Sequence, residues 1–123
     1  MFLYHFTNYN IDVLKVKYFA KNHYTSNDAK YPLKRLFFYD SLQPKEYHLN
    51  GCEYRYTVKI PKRAIYNLDI DRLSLKDKFN YEIDDILNYI KGNFKGCCYT
   101  TSFKCYVIFE DIKPINKKEL IRG

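Results

Sequence analysis

Glycine is scarce in this chain, 4 residues in 123, and no Gly-x-Gly-x-x-Gly or Walker spacing occurs. A glycine-rich loop that cradles phosphates by close backbone approach is thereby excluded. Cysteine is equally sparse, at positions 52, 97, 98 and 105, with no Cys-x-x-Cys and no His-x-x-x-His. The adjacent pair is awkward for a disulfide framework and a chain of this length needs no staple, so unbridged thiols in a reducing compartment are expected. A zinc site lacks its usual ligand spacing. The apolar run in residues 1–7 has no basic leader and is far too short for a signal peptide or a membrane span, so a cytoplasmic location and no membrane partner are expected. Repeats, low-complexity linkers and composition breaks are missing too, and residues 1–123 are expected to form one domain.

What is present is apolar and basic. Hydrophobic residues make up 46% and aromatic residues 19%, far from the composition of a disordered chain, so a core is expected to form unaided. Tyrosine is unusually frequent at 14, and because its ring is apolar while its hydroxyl seeks a partner, many are expected at half-buried positions or lining a cleft. The net charge of +7 is uneven: residues 1–65 hold 11 Lys and Arg against 5 Asp and Glu, whereas residues 66–123 hold 10 against 9. The basic excess of the first half attracts phosphates of a dinucleotide, a nucleic acid, or the acidic face of a protein, without choosing among them.

Periodicity predicts mostly strands. Residues 2–7 alternate, with Phe2, Tyr4 and Phe6 on one face and Leu3, His5 and Thr7 on the other. Residues 8–10 read as a turn, and residues 11–18 as a helical turn followed by an extended piece. Ser26, Asn27 and Asp28 are helix-cap residues that Pro32 cuts short. Residues 35–39 and 53–60 read as strands, the latter with Tyr54, Tyr56, Val58 and Ile60 inward. Ile83, Ile86, Leu87 and Ile90 follow helical spacing within residues 82–91, with Asp84 and Asp85 at the positive end and Gly92 at the stop. Residues 97–100 and 104–109 read as paired strands joined through Thr101 and Ser102. The expected fold class is α+β: a compact antiparallel or mixed sheet of short strands with one main helix.

Three segments resemble the ADP-ribosyltransferase superfamily in order. Tyr4-His5-Phe6-Thr7 is similar to its Tyr-His-Gly-Thr strand, and Arg35-Leu36-Phe37-Phe38-Tyr39 to its aromatic strand. Lys95-Gly96-Cys97-Cys98-Tyr99 with Cys105-Tyr106-Val107-Ile108-Phe109-Glu110-Asp111-Ile112 is similar to the closing strands of small bacterial members. The resemblance implies an ADP-ribosyltransferase-like domain that uses NAD as substrate and modifies a macromolecular target. In it His5 bonds a ribose hydroxyl, the backbone around Phe6 and Thr7 grips the nicotinamide amide, Tyr39 beside Phe38 stacks on the nicotinamide, Arg35 with Lys34 lies near phosphates, and Tyr99 lines the site. His5 and Tyr39 are expected to project from neighbouring strands into one shared cleft.

The chain also departs from that pattern. Cys105 stands where the resemblance puts the glutamate that stabilises an oxocarbenium-like transition state. Phe6 replaces the motif's glycine, and Glu110, five residues from Cys105, falls on the opposite face. A thiol–imidazole pair of Cys105 or Cys98 with His5 is one alternative chemistry. Two further readings stay open: a catalytically degenerate, phage-type inhibitor acting through a protein surface, and a small basic nucleic-acid binder built on Arg55-Tyr56-Thr57-Val58-Lys59 and Pro61-Lys62-Arg63.

Overall fold

The computed structural model describes residues 1–18, 33–42, 51–101 and 103–120. The expected caps at Ser26, Asn27 and Asp28, the break at Pro32 and the turn residue Ser102 lie outside these. The elements are β1 (Phe2–Thr7), β2 (Leu36–Phe38), β3 (Tyr54–Lys59), β4 (Ile65–Asn67), α1 (Leu75–Lys78), α2 (Ile83–Ile90), β5 (Gly96–Thr100), β6 (Lys104–Ile108) and β7 (Asn116–Glu119).

The strands form two sheets of the expected α+β class instead of one. The first has the order β1-β3-β7, antiparallel throughout; the second has the order β2-β6-β5-β4, with β4 parallel to β5. Side-chain alternation divides the residues of the second sheet's strands between two cores. Leu36, Phe38, Tyr106 and Ile108 face Leu3, Tyr56 and Val58 of the first sheet, so one core lies between the sheets. On the other side of the second sheet, Tyr39, Cys105 and Val107 pack with Ile86, Leu87 and Ile90 of α2. Each fully buried aliphatic or aromatic side chain contributes roughly 1.5–3 kcal/mol.

The expected inward set of β3 is observed, with Tyr56, Val58 and Ile60 buried and Tyr54 half-buried. In α2 Ile86, Leu87 and Ile90 of the apolar stripe are buried and Ile83 is half-buried, and the helix end is closed by the N–H groups of Asn93 and Phe94 on the Ile90 carbonyl, at 2.9 and 3.0 Å. Gly92 plays no left-handed part in that stop. Gly96 has a different constraint: a Cβ there would lie 2.2 Å from the Val107 carbonyl oxygen, so only glycine lets β5 and β6 approach. Residues 11–18 reverse the expected order. Leu14 is extended, exchanging backbone hydrogen bonds of 2.9 and 3.0 Å with Ile112, and a 3₁₀ turn at Val16–Tyr18 follows. None of the four cysteines forms a disulfide.

Three short elements, β4, α1 and β7, are additions to the expected set, and Asp71 joins the first two. With left-handed backbone (φ 48°), it accepts hydrogen bonds from the Leu75 and Lys76 N–H groups, each at 2.9 Å, and from the Tyr66 hydroxyl at 2.8 Å. Burial alone would raise its pKa, but these donors hold the carboxyl below the ordinary range.

Arg35 is not available to phosphates. It is 1% exposed, donates to the Leu33 carbonyl at 2.9 Å, and forms an ion pair with Asp84 in the first turn of α2. A buried pair costs desolvation but is costly to break. Asp84→Ala is therefore expected to lower stability by about 3–5 kcal/mol, read as a shift of the urea midpoint. The double change Arg35→Met with Asp84→Leu is expected to recover most of that loss, since an apolar pair of similar volume removes the stranded charge.

Candidate functional site at the split between the sheets

β1 and β2 meet at one bridge. Tyr4 and Tyr39 exchange N–H to carbonyl hydrogen bonds, both 2.8 Å, and no further ladder joins these two strands among the described residues. In a continued antiparallel ladder the next hydrogen-bonded pair would be Phe6 with Phe37. Instead the His5 imidazole enters the opening, with Nδ1 2.7 Å from the Phe37 carbonyl oxygen. A carbonyl can only accept, so Nδ1 carries the proton and Nε2 of the neutral ring carries a lone pair. Burial pushes the His5 pKa below its ordinary 6.5, and the hydrogen bond to Phe37 opposes this only in part. At neutral pH the ring is a neutral acceptor, tilted against Phe38 with centroids 5.5 Å apart.

The shared cleft expected for His5 and Tyr39 is not formed. Residues directly opposed across an antiparallel bridge share a face, so Tyr39 sides with Tyr4, and His5, one residue along, points the other way. The ring contacts agree: Tyr39 meets Phe6 at 6.3 Å, whereas His5 meets Phe38. Tyr39 is buried in the core beside α2, so stacking on a ligand is denied to it.

Most of the other expected site residues are core. Phe38 is buried between the sheets; Tyr99 and Cys105 are buried on the α2 side, the face away from His5. Burial pushes the Tyr99 hydroxyl pKa up. Cys98 is on the inter-sheet face, but burial raises its thiol pKa too, which keeps it a thiol rather than a nucleophilic thiolate. Phe6 is half-buried and fills the space a glycine would leave open, and the Thr7 hydroxyl accepts the Tyr9 N–H at 3.3 Å in the turn that ends β1. Glu110 is exposed and faces Lys95 at 3.9 Å, far in role from a buried catalytic carboxylate.

The basic strand β3 also reads differently in three dimensions. Tyr56 and Val58 are buried, so the aromatic neighbours of its outward cations come from β1: the Arg55 guanidinium carbon lies 6.0 Å from the Tyr4 ring centroid, and the Lys59 ammonium 5.8 Å from that of Phe2. The group that sequence reasoning missed at the split is the Phe37 carbonyl, a backbone atom with no residue-type signal. No protein-family model, curated protein or solved structure matches this chain.

The depressed pKa of His5 has a stability consequence. The unfolded chain takes up a proton on this residue near pH 6.5 while the folded chain resists it, so the contribution is complete above that value and declines as the pH falls below it. Thermal unfolding at mildly alkaline and mildly acidic pH is expected to show a smaller acid loss for His5→Gln than for the parent chain. Equal losses would contradict the neutral, desolvated imidazole.

Proposed function

We propose that this chain holds an ADP-ribose-containing dinucleotide such as NAD at the split between β1 and β2, and that it does not transfer it by the carboxylate route of the ADP-ribosyltransferases it resembles. The observation that carries the reading is His5. Its Nδ1–H is committed to the Phe37 carbonyl at 2.7 Å, which fixes the tautomer and leaves Nε2 to accept a ribose hydroxyl. Adjacency also supports it: the three segments that carry the resemblance, spread from Tyr4 to Ile112, lie on β1, β2, β6 and β5, each beside the next.

Binding without cleavage is the reading that the departures favour. Stabilising positive charge on a ribose needs a negative group aimed at it. Cys105 is buried on the face away from His5, and Phe6 limits backbone approach where the motif has glycine. A chain that occupies nucleotide or partner surface without chemistry then acts as an inhibitor, the phage-type reading set out above.

Calorimetric titration with NAD and with ADP-ribose tests this. Both are expected to bind, with about 3- to 10-fold weaker affinity for His5→Ala, the effect of one net hydrogen bond, and no change for Tyr39→Phe. Labelled NAD incubated with the chain and cell extract is expected to give neither a labelled product nor free nicotinamide. Absence of binding would sink the reading, and release of nicotinamide would sink its non-catalytic part.

A second reading rests on the outer face of the first sheet, where Phe2 and Tyr4 alternate against Lys59 and Arg55, an arrangement suited to stacking bases beside phosphates. On this reading single-stranded oligonucleotide binding falls steeply with salt and weakens on Phe2→Ser with Lys59→Ala. Indifference to both would remove it.

A further inference from the structure

β4 is the outer strand of the second sheet, with β5 as its strand neighbour. An open groove of about 680 Å³, within the usual size range of small-molecule sites, is lined by β4 together with Cys98 of β5, Lys104 and Tyr106 of β6, and the turn after β4. The described lining includes three cations, Lys62, Arg72 and Lys104, and no carboxylate. None of the three has an ion-pair partner among the described residues. Asp40 and Asp71 are held on the lining tyrosines Tyr106 and Tyr66, and the three cations, outside any ion pair, favour an anion in the concavity.

The groove is not merely cationic. Ile70 and Leu73, 61% and 56% exposed, form an apolar rim on the turn between β4 and α1. That rim is fixed in place: the Leu73 N–H donates to the Tyr66 hydroxyl at 3.1 Å, and that hydroxyl donates to Asp71 at 2.8 Å. On the opposite wall the Lys104 ammonium lies 5.7 Å from the Tyr106 ring centroid, and the Tyr106 hydroxyl is tied to Asp40 at 3.2 Å. The polar tips of both tyrosines are thus committed to carboxylates, and their rings need no reordering to receive a ligand.

A bare anion would satisfy the cations and leave the rim wet. A neutral aromatic would cover the rim and leave three cations unanswered. We propose that this groove binds a nucleoside 5′-monophosphate, free or as the 5′ end of a nucleic-acid strand, with its phosphate among Lys62, Arg72 and Lys104 and its base against Ile70 and Leu73. His5, Phe6 and Thr7 are not part of this lining, so the site is separate from the split between the sheets.

The test is a set of calorimetric titrations of the full chain with AMP, adenosine, inorganic phosphate, and a trinucleotide with and without a 5′-phosphate. AMP is expected to bind at least about 10-fold more tightly than adenosine or phosphate alone. Lys62→Glu with Arg72→Glu is expected to weaken AMP about 10-fold or more while leaving thermal unfolding unchanged, since both side chains are at the surface. Ile70→Ser with Leu73→Ser should weaken AMP but not phosphate, and His5→Ala should leave AMP binding intact. Tight binding of the 5′-phosphorylated trinucleotide alongside AMP identifies a strand end as an occupant, and tight binding of AMP alone identifies the free nucleotide. AMP no tighter than phosphate, or AMP binding that survives the charge reversal, would overturn the proposal, as would AMP binding lost in His5→Ala and not in the charge reversal.

Discussion

One pair of backbone hydrogen bonds, between Tyr4 and Tyr39, is the seam on which this fold turns. Were the ladder to run on past it, β1 would continue the plane of the second sheet, and Leu3, Tyr56 and Val58 could not fold over onto Phe38, Tyr106 and Ile108. Stopping after one pair allows the first sheet to swing across and close a core. It also takes the Phe37 carbonyl out of the ladder position that would face Phe6. The His5 side chain meets it. A histidine, unlike an apolar residue, satisfies the carbonyl with one nitrogen and still has another to offer.

The same alternation that builds two cores removes most of the candidate chemistry. β2 lies between them, sending Leu36 and Phe38 one way and Phe37 and Tyr39 the other, and the Arg35–Asp84 pair fastens its beginning to α2. Tyr39, Tyr99 and Cys105 serve packing against that helix. What remains at the split is an acceptor, an aromatic neighbour and strand backbone, enough to orient a sugar and too little to stabilise a developing cation. The proposed role as a binder follows from that inventory. The cations that the two further readings use lie elsewhere, Arg55 and Lys59 on β3 and Lys62, Arg72 and Lys104 around the groove beside β4.

Much of the fold was legible because its signals are local. Alternation marked β1, β3 and the β5–β6 pair, and helical spacing marked α2. β4, α1 and β7 escaped because three or four residues carry no readable period, and the Asn-Lys-Lys-Glu of β7 has no apolar residue at all; what organises β4 and α1 is Asp71, whose hydrogen bonds come from both sides of a turn. The tyrosines behave as their chemistry demands: the Tyr56 hydroxyl donates to the Tyr9 carbonyl and accepts the Ile11 N–H, both at 2.8 Å, while Tyr66 and Tyr106 reach carboxylates. The site was harder to read. Residue types placed His5 and Tyr39 on neighbouring strands, but which residues oppose one another is a matter of register, and a shift of one residue exchanges the faces. Arg35 in a basic stretch reads as a phosphate ligand until Asp84, distant in sequence, is seen beside it. Arg72 and Lys104 gave no local signal at all, since only the packing of β4, β5 and β6 brings them to one groove with Lys62.

The state of one imidazole decides whether the split can hold a ribose, and nitrogen-15 resonances of His5 report it directly. Near neutral pH they should show a neutral ring with the proton on Nδ1 and a bare Nε2, and the Nε2 resonance should move as ADP-ribose is added. A proton on Nε2 would contradict the His5–Phe37 hydrogen bond at the seam, and an Nε2 resonance that stays still at high ADP-ribose concentration would contradict the binding role built on it.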